Sequence, residues 1–185
     1  MNLLIVVDMQ KDFITGALGN DETKAVISNV CELIKKNIDE NPELPVICTY
    51  DTHDKGYLDT QEGKKLPVPH CINGTDGWEL DPEVEAAAAE RKRPVLKDTF
   101  GAMNLPEEIK KIMIGMAAEG KKETIETITL CGVCTDICVI SNAMLLKAFF
   151  PEIPIRVAAD CCAGVTPASH ANAIEAMKMC QIDIV

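Results

Sequence analysis

Five short runs along the chain are apolar on nearly every residue, and the segments between them carry apolar residues on a helical period. The runs are LLIVVD (3–8), PVICTYD (45–51), RPVLKD (93–98), TITLCG (127–132) and PIRVAAD (154–160), with QIDIV (181–185) as a sixth candidate. Unbroken β-branched runs of this length mark strands covered on both faces. Between them, Val26, Ile27, Val30, Leu33 and Ile34 form one helical stripe after the start signal Asn20-Asp21. Asn104 and Pro106 open a second helix, with Ile109, Ile112, Met113 and Met116 on one face and Gly120 near its end. Pro167 suits the first turn of a third, and a fourth follows the cysteines after residue 130 to roughly Phe149. Strand–helix alternation of this kind predicts a three-layer αβα fold around a doubly wound, mostly parallel sheet of about six strands.

The chain's 185 residues fit a single domain, 1–185, able to bury a substantial core. The stretch from 52 to 92 is the exception to the alternation. Its first part, HDKGYLDTQEGKKLPVPHCINGTDGWEL, is too rich in Gly, Pro and polar residues for a core element and reads as a long active-site loop. A formal net charge of −11 argues against a nucleic-acid partner, whose phosphates would be repelled. No apolar run approaches the ~20 residues of a membrane span, and LLIVV reads as a first strand rather than a secretory signal. Nine cysteines, several of them inside apolar runs, fit free thiols in a reducing cytoplasm better than a disulfide framework.

In an open parallel sheet, ligands bind beyond the carboxyl ends of the strands. Those ends bring together Asp8, then Asp51 with His53, then Lys97 with Asp98, then Cys134 to Cys138. An acid, a base and a thiol thus meet on one edge from distant parts of the chain. Within LCGVCTDICV, Cys131 belongs to a strand and points into the core, Cys134 sits in the turn and Cys138 falls at the start of the following helix. Zinc sites usually show a second ligand pair, and Cys161-Cys162 is a poor one. A helix N-terminus lowers a thiol's pKa and offers backbone N–H groups to a developing anion, so Cys138 reads as a nucleophile. In an extended chain Asp51 and His53 point to the same side, and His70 can return through the loop to complete a carboxylate and two imidazoles around a divalent metal.

These motifs resemble the isochorismatase-like cysteine hydrolases, and within them the nicotinamidases most. LLIVVDMQKDF is similar to the family's opening strand with its catalytic Asp, and DTHDKGY to its D-x-H metal segment. PHCINGTDGWEL resembles its P-H-C-x-x-G-T-x-G signature, and GVCTDICV its G-x-x-T-D-x-C-V nucleophile motif. The resemblance spans essentially the whole chain, in order. It implies a catalytic triad of Asp8, Lys97 and Cys138, and metal ligation by Asp51, His53 and His70, with Glu62 where some relatives have a further ligand. It also implies a cis peptide between Val133 and Cys134 and an oxyanion hole from the backbone N–H groups of Cys134 and Cys138.

The substrate pocket is expected to take in Phe13, Val133 and Trp78. The metal would be zinc, with iron or manganese as alternatives, and in nicotinamidases it anchors the pyridine nitrogen. The activity implied is hydrolysis of a small amide through a thioester, nicotinamide to nicotinate and ammonia. The alternatives are a non-pyridine amide, ureide or carbamoyl compound, the vinyl-ether hydrolysis of true isochorismatases, or a non-catalytic or redox cysteine protein. A small-molecule substrate is the expected partner, with no nucleic acid and no membrane, and a homo-oligomer is left open. Two departures stand out: Pro67 occupies the position where nicotinamidases carry a ring-stacking aromatic, and KDTFGAM replaces the usual run after the lysine.

Overall fold

A computed structural model describes residues 1–121 and 124–185. Six strands form one parallel sheet: β1 (Asn2–Val7), β2 (Val46–Asp51), β3 (Lys92–Lys97), β4 (Thr127–Val133), β5 (Ile155–Ala163) and β6 (Asp183–Ile184). Their spatial order is β3-β2-β1-β4-β5-β6. The chain therefore builds outward from β1 in one direction, crosses back and builds outward from β4 in the other. The reversal falls between β1 and β4, and a crevice opens at that point in doubly wound sheets.

The central strands follow from their composition. Leu3 to Val7 of β1 and every residue of β2 are buried, and β4 is buried from Ile128 onward. The third run behaves differently from the expectation that both its faces are covered. β3 is an edge strand in which Pro94 and Leu96 are exposed while Val95 and Lys97 are buried. An edge is where a strand tolerates proline, which has no N–H for a further neighbour.

The helices are α1 (Lys11–Ile14), α2 (Asp21–Ala25), α3 (Ile27–Glu40), α4 (Gln61–Lys65), α5 (Pro82–Ala88), α6 (Leu105–Ala118), α7 (Ile140–Phe149) and α8 (Pro167–Met179). They cover both faces of the sheet. α3 packs against α5, and α7 packs against α8. Asn20 caps α2 through the backbone N–H of Thr23. The stripe expected as one helix is divided at Val26 into α2 and α3. Thr166 and Ser169 form a capping box at the start of α8, ahead of Pro167. The 52–92 stretch is not structureless: it holds α4, capped by Thr60, and α5, capped by Asp81. Val84 and Ala88 of α5 are buried, an apolar pair too short to register as a helical stripe. Among the described residues no helix is long and apolar enough to cross a membrane.

Candidate active site

Two local features aim the ends of β1 and β4 at one another. Gly132 pairs with Val7 at φ +110°, where a Cβ would collide with the Val7 carbonyl oxygen. Only glycine allows that close approach. The next residue of β1's chain, Asp8, takes φ +47°, a left-handed conformation that Asp tolerates better than most residues. The sharp turn sends its side chain across the carboxyl end of the sheet. Thr49 in β2 holds it there, donating from Oγ1 to Asp8 Oδ1 at 2.6 Å and accepting from the Asp8 N–H at 3.2 Å.

Lys97, at the end of β3, reaches inward over β2. Its Nζ lies 2.8 Å from Asp8 Oδ2, 3.0 Å from Asp51 Oδ1 and 3.5 Å from Cys138 Sγ. All four side chains are buried. Burial alone would pull Lys97 down, but the charges of Asp8, the Cys138 sulfur and Asp51 push it up, so it stands as an ammonium. Burial holds Asp8 above the usual carboxylate range, against the opposing charge of Lys97. Apart from the Lys97 ammonium, Asp8 Oδ2 has no hydrogen-bond partner among the described residues.

Cys138 sits in a π-helical turn, Thr135–Val139, ahead of α7. The Val133–Cys134 peptide before it is cis. The turn is tethered on three sides. Thr135 Oγ1 is hydrogen-bonded to His170 Nδ1 at 2.8 Å, the Asp136 carboxylate accepts from the Val165 N–H at 3.1 Å, and Asn142 Nδ2 donates to the Cys138 carbonyl at 2.8 Å. The expectation of a thiol depressed by a helix start is not met. Burial, then the neighbouring Asp8 carboxylate, pushes the Cys138 thiol well up, with Lys97 opposing. The resting sulfur is therefore held as a protonated thiol beside the Asp8 carboxylate.

The second cluster is built by one backbone bridge. The His53 N–H donates to the Cys71 carbonyl at 3.0 Å and the Asn73 N–H to the His53 carbonyl at 2.9 Å, which brings His70 back beside His53. Asp12 anchors that return, accepting from the Cys71 N–H at 2.8 Å. Gln10 fixes Asp51 by a paired bond to its backbone N–H and carbonyl, each 2.8 Å. Asp51 Oδ2 is then 3.0 Å from His53 Nε2 and 3.5 Å from His70 Nε2, and Glu62 Oε1 is 3.8 Å and 3.9 Å from the same nitrogens. Donors bonded at ~2.1 Å around a tetrahedral cation stand about 3.4 Å apart, so the set fits a divalent metal. His70 Nδ1 meets the Val68 carbonyl at 2.8 Å, the outer contact that orients an imidazole ligand. Burial opposes charge on Asp51, but hydrogen bonds from both histidines and the charge of Lys97 hold its carboxyl far below the usual range.

A cavity of about 580 Å³ joins the two clusters, with Asp51, Glu62, His70, Cys134 and Cys138 among its lining. Phe13 also lines it, edge-on to the His70 ring with centroids 5.5 Å apart. The other two residues expected in the pocket lie elsewhere. Val133 is fully buried behind the turn. Trp78 donates from its indole N–H to Thr52 Oγ1 at 2.9 Å and packs on Tyr50 at 5.1 Å, so its ring is committed outside the cavity. Sequence reasoning missed Thr49, Gln10 and Phe100. Thr49 is a lone polar residue inside the apolar run VICTYD, and Gln10 and Phe100 lie within two or three residues of Asp8 and Lys97.

Comparison with known proteins identifies the family. The family model described as "Isochorismatase domain" matches residues 2–185. The chain is 26% identical over 190 residues to a nicotinamidase/pyrazinamidase of Mycobacterium tuberculosis, covering 100% of this chain and 98% of that one. Among solved structures, a pyrazinamidase of Pyrococcus horikoshii in complex with zinc matches with a TM-score of 0.78 and 26% identity, covering 100% of this chain and 98% of that one. A nicotinamidase/pyrazinamidase of Bacillus subtilis shares the fold with a TM-score of 0.81 at 23% identity, over 100% and 98% of the two chains.

Proposed function

The chain belongs to the isochorismatase family, among nicotinamidase-like hydrolases that act on an amide C–N bond, and we propose that it converts nicotinamide to nicotinate and ammonia through a thioester on Cys138. The observation that carries this reading is the buried meeting of Asp8, Lys97 and Cys138 beside the Asp51, His53 and His70 cluster, with Cys138, Asp51 and His70 lining one cavity. A resting thiol beside a buried carboxylate is a nucleophile with a base already in place.

Asp8 Oδ2 takes the thiol proton as the sulfur attacks the amide carbonyl carbon, and Lys97 stabilises the charge as it moves. The backbone N–H groups of Cys134 and Cys138 would receive the carbonyl oxygen, an interaction whose loss costs about 10²–10³ in rate. Asp8 then returns the proton to the nitrogen as the C–N bond breaks and ammonia leaves. A water loses a proton to Asp8, adds to the thioester and releases the acid, and the sulfur regains its proton. Asp51, His53 and His70 would hold the metal, zinc or alternatively iron or manganese, which when bound supplies a Lewis-acidic anchor for the pyridine nitrogen. The reading includes one domain over 1–185, a small-molecule amide as partner and a cytoplasmic location.

Pro67 favours one second reading. Without an aromatic there, the site loses a ring-stacking partner worth ~0.5–1.5 kcal/mol, which weakens the case for a pyridine against a ureide or carbamoyl compound. Ammonia release across nicotinamide, a ureide and a carbamoyl compound decides between them. Turnover of nicotinamide is expected, and an inert nicotinamide beside a hydrolysed ureide would refute the substrate while leaving the cysteine hydrolase in place.

A further inference from the structure

The cavity has two unlike halves. Cys138, His70 and Phe13 are buried at its inner end, whereas Leu66, Phe100 and Val165 line it with 37%, 49% and 51% of their surface exposed. Those three are among only ten large hydrophobic side chains so exposed among the described residues, and they come from three separate loops. Such residues scattered singly need no explanation, but gathered round one mouth they mark a binding surface. At about 30 Å³ for each water-sized volume, the cavity's roughly 580 Å³ holds on the order of twenty, and nicotinamide would displace about five. Most of the outer half is left over. Of the charged residues at the rim, Lys65 and Asp98 are exposed and keep their charged ends in water, while Glu62 is turned toward His53 and His70.

We propose that Leu18, Leu66, Phe100, Ile137 and Val165 form an outer subsite for an uncharged apolar substituent carried by the amide substrate. The assignment rests on the amide-hydrolase reading of the same cavity. The occupant is part of the substrate because the collar is continuous with the space at Cys138, and a substituent entering it is tethered to the reacting group. Phe100 and Val165 are also braced against the nucleophile turn. Asn142 bonds both the Cys138 carbonyl and the Ala102 N–H, two residues beyond Phe100, while the Val165 N–H is held by Asp136.

The test is a series of nicotinamides bearing methyl to butyl groups at the ring carbon meta to both nitrogen and carboxamide. KM should fall about two- to fourfold with each added methylene until the collar is filled, with kcat little changed. Leu66→Ser and Phe100→Ser should flatten that slope, lowering the butyl-to-parent ratio of kcat/KM by about tenfold or more. Binding of the same series to Cys138→Ala, read by calorimetry, reports on the subsite without turnover. Affinity that rises along the series in a protein inert to nicotinamide would keep the subsite and remove the amide reading. Turnover of nicotinamide with a flat series would keep the amide reading and overturn the subsite. A flat series together with a change of oligomeric state in Phe100→Asp would assign the collar to contact between two copies, also overturning it.

Discussion

Lys97 and Asp8 form an ion pair of 2.8 Å in which the two side chains are 1% and 0% exposed. The lysine is also the cation that faces Asp51 and the Cys138 sulfur. Replacing Lys97 with Met leaves two carboxylates buried side by side, whereas Asp8→Asn leaves Lys97 still paired with Asp51. Breaking a buried pair from one side costs about 3–5 kcal/mol. Denaturant unfolding should therefore show Lys97→Met well below wild type and Asp8→Asn closer to it, with both inactive. Equal stability of the two variants would contradict the shared role of the lysine.

Thr49 should set the acid limb of the pH profile. Burial raises Asp8, while Lys97 and, more weakly, the Thr49 hydrogen bond lower it. As a base Asp8 works ionised, so kcat/KM falls as pH drops through its raised pKa. Thr49→Val removes a bond that favours the charged form, and the limb should move to higher pH by up to about one unit. The stability sign follows from the same shift. A carboxyl held above its unfolded value contributes stability at low pH that is lost as pH rises through the folded pKa. A limb that stays put or moves down in Thr49→Val would separate Asp8 from the proton transfer.

The metal cluster predicts a binding stoichiometry. Purified protein should carry close to one equivalent of divalent metal, and His53→Ala should lose it. Added zinc should raise the thermal midpoint of stripped wild-type protein but not of His53→Ala, because a ligand stabilises only the state that binds it. Full activity in metal-free protein would remove the metal from the function.

Cys131 separates packing from chemistry. It is fully buried in β4, and burial pushes its thiol well up. Cys131→Ala should cost about 1–3 kcal/mol of stability with kcat retained in the folded fraction. Loss of turnover without loss of stability would give it a role the geometry does not provide.

Much of this arrangement is legible in the chain itself. β1, β2 and β4 are near-continuous apolar runs because central parallel strands are covered on both faces, and Asp8 and Asp51 stand where those runs end. His53 and His70 can be paired on paper because both lie in one stretch rich in turn residues, which can fold back on itself. What periodicity does not report is pairing across long separations. The hydrogen bonds of Thr49 to Asp8 and of Gln10 to Asp51 each span 41 residues, and that of Trp78 to Thr52 spans 26. The last of these turns an aromatic expected in the pocket into a strut outside it. The edge position of β3 and the π-turn around Cys138 are likewise set by neighbours in space, as is the height of the Cys138 pKa.

In the proposed mechanism Cys138 carries the acyl group while Asp8 moves the proton. Ammonia release from nicotinamide by the wild type and by Cys138→Ala, each first shown to be folded and metal-loaded, tests it most directly. Steady release by the wild type and none above background from Cys138→Ala is the predicted result. Comparable release by both proteins would contradict the thioester mechanism.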